Sequence, residues 1–128
     1  MQIDLLYIED NPANIELLED VCLLKPAVKL VSRTSVMDGM LEIKTKDFDI
    51  ILLDIHLPDI SGMDALPMIR EIKPDTPVIA LSASVMPQEI QRTLDLGFNA
   101  FITKPFDIAG FWKSLAAYLP DEKKSLLD

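Results

Sequence analysis

Five short apolar runs recur along the chain, and each is followed by polar or turn-forming residues. The runs are Ile3–Ile8, Val28–Arg33, Asp49–Asp54, Pro77–Leu81 and Ala100–Ile102. Short apolar runs bounded by turn residues are typical of strands buried on both faces, as in a parallel sheet. The pattern therefore predicts five strands.

The four intervals between these strands and the segment after the last one carry apolar residues at helical spacing, which predicts five helices. Residues that favour helix ends mark their limits: starts at Asn11-Pro12, Ser35, Pro87 and Asp107, and ends at Pro26, Gly97 and Pro120. The third helix is predicted over Met63–Lys73, with Pro67 either in its first turn or bending it. Residues 121–128 are expected to be a frayed end or a linker stub, which leaves 1–120 as the domain.

Strands that alternate with helices predict an α/β domain with a parallel sheet between two helical layers. The first, third and fourth runs are the most apolar and suit central positions, whereas the second carries Lys29 and Arg33 and the fifth is short. This favours the flavodoxin-like strand order 2-1-3-4-5. The first and third strands would then be neighbours where the order reverses, which is where such folds bind ligands.

Five polar side chains would arrive at that edge of the sheet. Glu9 and Asp10 follow the first strand, Asp54 ends the third, Ser82 follows the fourth and Lys104 follows the fifth. Three close carboxylates repel one another, and oxygen ligands of this kind suit Mg²⁺, with Mn²⁺ as an alternative. A carboxylate can also act as a nucleophile, so Asp54 could accept a phosphoryl group that Lys104 and Ser82 stabilise. The pattern predicts a pocket that holds metal and phosphate together.

Charge and composition narrow the choice of partners. The 128 residues include 21 acidic and 12 basic ones, for a net charge of −9, which opposes binding to nucleic acid or anionic membrane. No run approaches the roughly 20 apolar residues of a membrane span, and the start lacks the features of a signal peptide. The one cysteine, Cys22, has no partner. A single cytoplasmic domain is expected.

Four stretches, each at a predicted strand end, resemble the signatures of response-regulator receiver domains, such as the chemotaxis regulators. They are Tyr7–Asn11, Ile51–Gly62, Val78–Ala83 and Thr103–Phe106, in the family's order and at fitting spacings. Each alone would be a weak signal, but the four together are specific. The resemblance implies a two-component signalling switch that accepts a phosphoryl group from a phosphohistidine of a histidine kinase or phosphotransfer domain. Such a domain catalyses its own phosphorylation and dephosphorylation, and it is not expected to turn over an external substrate.

The resemblance also implies a role for each residue of the pocket. Asp54 would be the phosphoacceptor in a Mg²⁺-dependent reaction. Asp10 and Asp54 would bind the metal directly, together with the backbone carbonyl of His56, and Glu9 would act through water. Glu9 stands where many relatives carry Asp, which leaves the acidic character intact.

A second group of residues would convert phosphorylation into a signal. By resemblance, Ser82 is the hydroxyl that follows the phosphoryl group, Phe101 is the aromatic residue that then turns inward, and the Lys104-Pro105 bond is cis. Ser84 is a competing hydroxyl on the same edge. We further expect the His56 side chain and Ser84 to tune the lifetime of the phosphorylated state by steering the attacking water.

A downstream protein is expected on the face formed by the fourth helix, fifth strand and fifth helix. Gly97 is not followed by the acidic pair found in regulators that form salt-bridged dimers, so that dimer is not expected. Two alternatives remain. A phosphatase resembling the haloacid dehalogenases uses similar residues but normally has a second Asp two positions after the nucleophile, where this chain has His56. A receiver-like binding module that is never phosphorylated is the other.

Overall fold

The computed structural model describes residues 1–83 and 86–128, which form a five-stranded parallel sheet flanked by helices. The strands are β1 Ile3–Ile8, β2 Val28–Arg33, β3 Ile50–Asp54, β4 Val78–Ser82 and β5 Ala100–Thr103. Their order in the sheet is β2-β1-β3-β4-β5. This order confirms the predicted flavodoxin-like fold.

The helices begin where the sequence offers a capping side chain or a proline. They are α1 Pro12–Leu23, α2 Val36–Thr45, α3 Gly62–Ile72, α4 Pro87–Asp95, α5 Ile108–Ala116 and α6 Asp121–Lys124. The side chains of Asn11, Ser35 and Asp107 each accept a hydrogen bond from an amide in the first turn that follows. Such caps satisfy amides that have no partner within the helix. Every described helix is too short or too polar to cross a membrane.

Two hydrophobic clusters lie on opposite faces of the sheet. Residues of α1 and α5 pack on one face, with Leu18, Phe111 and Leu115 fully buried or nearly so. Residues of α2 and α3 pack on the other, with Val36 and Ile69 fully buried. β3 is buried along its whole length, whereas the edge strand β2 is mostly half-buried. The three-layer arrangement follows from this two-sided burial.

Helix α3 begins at Gly62, where the chain folds back onto the end of β3. A Cβ atom on Gly62 would lie 2.6 Å from the carbonyl oxygen of Asp54, so a side chain does not fit there. The amide of Gly62 donates to the carbonyl oxygen of Ile55 over 2.8 Å and closes the loop between β3 and α3. Pro67 is the sixth residue of α3, so the expectation that it could belong to the first turn is wrong.

Residues 121–128 pack against the domain, in contrast to the frayed end expected from the sequence. They form α6 and a 3₁₀ turn, Ser125–Leu127. Leu127 is buried in the cluster on the α1 side, and its carbonyl oxygen accepts a 2.5 Å hydrogen bond from Lys25 Nζ. Lys123 forms an ion pair of 2.9 Å with Asp49. Burial of a large apolar side chain and these polar contacts stabilise the packed position of the segment.

A row of three aromatic side chains connects the end of β5 to the core. The Lys104-Pro105 bond is cis, as predicted, and Phe106 follows it. Phe106 stacks on Phe111 with ring centroids 4.7 Å apart, and Phe111 meets Trp112 edge-on at 5.1 Å. This row lies beside the carboxyl ends of the strands, where the polar residues gather.

Candidate functional site

Three carboxylates converge at the carboxyl ends of β1 and β3. Ile8 pairs with Leu53 across these strands, so the next residues along each strand, Glu9 and Asp54, are brought side by side. Glu9, Asp10 and Asp54 each place an oxygen within 4.8 Å of the others. The predicted meeting of the three acids is therefore confirmed.

Glu9 is fully buried and lies at the centre of a hydrogen-bond network. Its Oε1 atom accepts from Asn14 Nδ2 and from Lys104 Nζ, each at 2.6 Å, and from the Tyr7 hydroxyl at 3.3 Å. Its Oε2 atom accepts from the backbone amide of Asp10 at 3.2 Å. Both oxygens of Glu9 are thus engaged by donors of the protein.

Lys104 connects the buried Glu9 to Asp54. Its ammonium group lies 3.1 Å from Asp54 Oδ2, and its backbone amide donates to the Ser82 carbonyl oxygen over 2.8 Å. Asp54 is 5% exposed, and its Oδ1 atom accepts a hydrogen bond from the His56 amide at 3.0 Å. Both oxygens of Asp54 are therefore oriented, while one edge of the carboxylate still reaches the surface.

The protonation of the network follows from burial and mutual charge. Burial raises the pKa of Glu9, and the contact with Asp54 raises it further, whereas hydrogen bonds from Lys104 and Asn14 act in the opposite direction. Burial alone would lower the pKa of Lys104, but hydrogen bonds to Glu9 and the charge of Asp54 raise it overall. Burial and the charges of Glu9 and Asp54 also raise the pKa of Tyr7, so its hydroxyl remains a donor. One ammonium faces three acids, and the cluster has an excess of negative charge.

The acidic cluster fits a hard divalent cation. It consists of carboxylate oxygens alone, which is the donor chemistry that Mg²⁺ prefers. Asp10 is exposed, so the cluster opens to solvent and can keep the water ligands that Mg²⁺ usually retains. A bound cation would also relieve the repulsion among the acids.

Ser82 and Phe101 project toward the same face of the sheet. Phe101 pairs with Ala80 across β4 and β5, and Ser82 follows Ala80 by two residues. Alternation along a strand therefore directs all three side chains to the side covered by α2 and α3. Ser82 is fully buried, whereas Phe101 is half-buried. The predicted second hydroxyl, Ser84, lies outside the described residues.

The side chain of His56 is largely exposed and lies beside the start of α4. It is 68% exposed, and its Nε2 atom lies 3.5 Å from Glu89 Oε1 in the first turn of α4. The imidazole thus contacts α4, while the His56 backbone amide donates to Asp54. This position is compatible with a role in tuning water access, and that role stays a prediction.

Two members of the network were missed in the sequence. Tyr7 precedes Glu9 by two residues, so strand alternation could have placed both side chains on one face. Asn14 lies in the first turn of α1, four residues after Asp10. On the face formed by α4, β5 and α5, where a downstream protein is expected, five polar side chains are exposed: Gln88, Gln91, Arg92, Asp95 and Lys113.

Comparison with known proteins agrees with this geometry. A family model described as the response regulator receiver domain matches residues 5–116. The signal transduction histidine-protein kinase BarA of Escherichia coli K12 is 32% identical over 116 residues, which cover 88% of this chain and 12% of BarA. The transcriptional regulatory protein KdpE of Staphylococcus aureus is 36% identical over 108 residues, which cover 84% of this chain and 46% of KdpE. The chain thus spans less than half the length of these two relatives.

Solved structures that are similar to this chain are also receiver domains. The receiver domain of sensor histidine kinase PA1611 from Pseudomonas aeruginosa, with a magnesium ion in its active-site cleft, superposes with a TM-score of 0.83 at 26% identity, over 92% of this chain and 98% of that one. A CheY-like receiver domain protein from Methanospirillum hungatei has the same fold, with a TM-score of 0.85 at 19% identity, over 98% and 99% of the two chains. The chain therefore belongs to the response regulator receiver family, which serves two-component phosphorelay signalling.

Proposed function

We propose that Asp54 accepts a phosphoryl group from a phosphohistidine of a histidine kinase or phosphotransfer domain, in a reaction that requires Mg²⁺. The observation that carries this proposal is the position of Lys104 Nζ, 3.1 Å from Asp54 and 2.6 Å from the buried Glu9, beside the exposed Asp10. An ammonium group and cation-binding acids thereby surround one carboxylate that can act as a nucleophile.

Asp54 is held for attack by the rigidity of its surroundings. It ends the central strand β3, and the His56 amide fixes one of its oxygens at 3.0 Å. In the transfer, an Asp54 oxygen forms a bond to phosphorus while the phosphorus–nitrogen bond of the donor breaks, and the electron pair of that bond stays on the imidazole nitrogen. A fixed carboxylate loses little further entropy when the donor docks.

Lys104 and Ser82 stabilise the phosphoryl group during and after its transfer. The acidic partners of Lys104 raise its pKa despite its burial and keep it protonated, so it can move from Asp54 to a phosphoryl oxygen without a change in its charge. Ser82 is at the end of β4 and supplies a hydroxyl donor. Fixed donors aimed at developing charge are worth more in a buried pocket than in water.

The metal would be held by Asp10, Asp54 and the backbone carbonyl of His56. Glu9 would act through water, which suits a carboxylate whose Oε1 atom already accepts three hydrogen bonds. When bound, Mg²⁺ neutralises charge on the acids and on the transferred phosphoryl oxygens. Mn²⁺ would suit the same oxygen ligands.

Phosphorylation then acts through Ser82 and Phe101. A phosphoryl group adds about two negative charges at the ends of β3 and β4. The hydrogen bond from Ser82 draws the end of β4 toward the phosphoryl group, and Phe101, which shares its sheet face, turns into the space that is vacated. The face formed by α4, β5 and α5 changes as a result, and it is the surface for a downstream protein in the cytoplasm.

The phosphatase alternative lacks support, since the chain belongs to the receiver family and has His56 where a second Asp would be needed.

An experiment distinguishes a receiver that is phosphorylated on Asp54 from a module that is never phosphorylated. The chain is incubated with Mg²⁺ and acetyl phosphate, and its intact mass is measured. We expect one added phosphoryl group, which is lost in Asp54→Ala and after chelation of the metal.

The matched control is Asp47→Ala, which removes an acid that is 90% exposed and far from the pocket in the loop before β3. It should be phosphorylated like the wild type. A phosphoryl group that persists in Asp54→Ala would place the acceptor elsewhere, and a folded wild type that takes up none would favour the unphosphorylated module.

A further inference from the structure

Asp59 joins the loop after β3 to the start of a different helix, α2. Its Oδ1 atom accepts a hydrogen bond from the amide of Val36, and its Oδ2 atom accepts one from the amide of Met37, each at 3.2 Å. These are the first two residues of α2, whose amides have no partner within the helix. The helix also has its own cap, Ser35, whose hydroxyl accepts from the Asp38 amide. The amides at the start of α2 therefore donate to two side chains, one from the residue before the helix and one from the loop after β3.

The loop that Asp59 anchors also carries His56, whose carbonyl is a proposed metal ligand. Only Leu57 and Pro58 lie between His56 and Asp59. Pro58 fixes its own φ angle and restricts Leu57 to extended conformations, so this stretch has few free torsions. Fixing Asp59 therefore also restricts the position of the His56 carbonyl, because the segment between them is short and stiff.

The rest of the loop is held by hydrogen bonds at its ends and by packing of Leu57 and Ile60 against the core, and Asp59 adds the hydrogen bonds from its middle to α2. At one end the His56 amide contacts Asp54, and at the other the Gly62 amide closes onto Ile55. Ser61 is engaged in capping α3. The negative charge of Asp59 also interacts favourably with the positive end of the α2 dipole, which strengthens the contact at the middle of the loop.

We propose that Asp59 is a positioning residue for the metal site: it anchors the loop between β3 and α3 on the first turn of α2 and thereby sets the position of the His56 carbonyl. This inference rests on the proposed function, because it assigns the cation to the same pocket. It makes Mg²⁺ affinity depend on a carboxylate that does not touch the metal. Loss of such indirect supports typically weakens metal binding by about 10- to 100-fold.

Asp59 could instead matter only as a helix cap, and Ser35 separates the two roles. Asp59→Ala and Ser35→Ala each remove an acceptor from the start of α2, but only Asp59 belongs to the loop that carries His56. Asp59→Asn keeps a neutral acceptor and serves as a conservative variant that preserves the fold. The three variants share the same helix end and differ in what they do to the loop.

The experiment is a titration of the 128-residue chain with MgCl₂, followed by amide NMR, together with amide hydrogen exchange measured without metal. We expect the Mg²⁺ dissociation constant to rise about tenfold in Asp59→Ala, to take an intermediate value in Asp59→Asn, and to stay at the wild-type value in Ser35→Ala. Without metal, the backbone amides of residues 56, 57 and 59–61 should exchange faster in Asp59→Ala than in Ser35→Ala.

Equal Mg²⁺ affinity in Asp59→Ala and the wild type would overturn the inference while leaving the metal site in place. So would an equal loss in Ser35→Ala, since the effect would then arise from α2. A wild type whose amides do not respond to Mg²⁺ would overturn the proposed metal site itself, and this inference with it. The outcomes therefore distinguish failure of the positioning role from failure of the proposed function.

Discussion

Lys104 donates a 2.6 Å hydrogen bond to Glu9, a fully buried carboxylate 95 residues earlier in the chain. The contact joins the end of β5 to the end of β1, across the two strands that lie between them in the sheet. Lys104 thus contributes to the structure of the pocket as well as to its chemistry.

The first prediction concerns the charge balance of this pocket. Lys104→Met leaves Glu9 buried without its cationic partner, because Asn14 and Tyr7 carry no charge. We expect the free energy of unfolding at neutral pH, without metal, to fall by about 3 kcal/mol, the lower end of the cost of breaking a buried ion pair. Urea denaturation measures this change.

Lys73→Met provides the matched control. Lys73 contacts Asp47, whose side chain is 90% exposed, so the loss should be less than about 1 kcal/mol. Equal losses in the two variants would mean that the Lys104 contact is not a buried ion pair in solution.

The second prediction concerns Gly62, which lies against the backbone of β3. In Gly62→Ala the new Cβ atom would be 2.6 Å from the Asp54 carbonyl oxygen, so the loop or the strand end must shift. Overpacking of this kind costs about 1–3 kcal/mol, and the shift should also slow phosphorylation of Asp54. Thermal unfolding and intact-mass kinetics measure the two effects.

Gly110→Ala is the comparison for that variant. The atoms that its Cβ would meet belong to the Asp107 side chain, whose rotation would weaken the cap of α5 but leave the backbone at the end of β3 in place. It should phosphorylate at the wild-type rate. A Gly62→Ala variant that matched it in both measurements would show that the close approach to Asp54 is absent.

The third prediction is a pH dependence that arises from Asp59. Burial acts to raise the pKa of Asp59, but hydrogen bonds from the Val36 and Met37 amides outweigh this and lower it below its ordinary value of 3.8. A lowered pKa in the folded state stabilises the protein above the ordinary value, and this contribution is lost as the pH falls through the folded pKa. Wild type should therefore be more stable than Asp59→Asn at neutral pH.

The difference between the two proteins should shrink as the pH falls through the pKa of folded Asp59, because protonated Asp59 resembles Asn. Urea denaturation at several pH values measures it. A difference that stayed constant with pH would show that the charge of Asp59 does not contribute.

The fourth prediction concerns the packed C-terminal segment. Leu127→Ala should lower the free energy of unfolding by about 2 kcal/mol, since a buried leucine is replaced by a smaller side chain. Leu23→Ala, at a position that is 78% exposed, should change it by less than about 0.5 kcal/mol. A Leu127→Ala variant as stable as Leu23→Ala would indicate a frayed end after all.

The strand order could be predicted because a strand that is buried on both faces has a continuous run of apolar residues in the sequence. β3 and β4 are continuous apolar runs and lie inside the sheet, whereas β2, with Lys29 and Arg33, lies at its edge. The meeting of Glu9, Asp10 and Asp54 follows from that order, since parallel strands end at the same edge.

The features that could not be predicted depend on contacts between distant segments. The sequence around Asp59 indicates only an acidic residue in a loop, and the fold is what brings its carboxylate to the start of α2. Leu127 has no local signal for burial, because its site is formed by the α1 side of the core. Pro67 lies inside α3 despite its poor helix propensity, since Leu66 and Ile69 are buried beside it.

The row of aromatic rings gives the chain its own optical reporter. Trp112 is the single tryptophan, and it meets Phe111, which in turn stacks on Phe106, two residues after Lys104. Any displacement of Lys104 that carries Phe106 with it alters the surroundings of the indole. Intrinsic fluorescence can therefore follow events at the pocket in unlabelled protein, through a side chain that lies in the hydrophobic core.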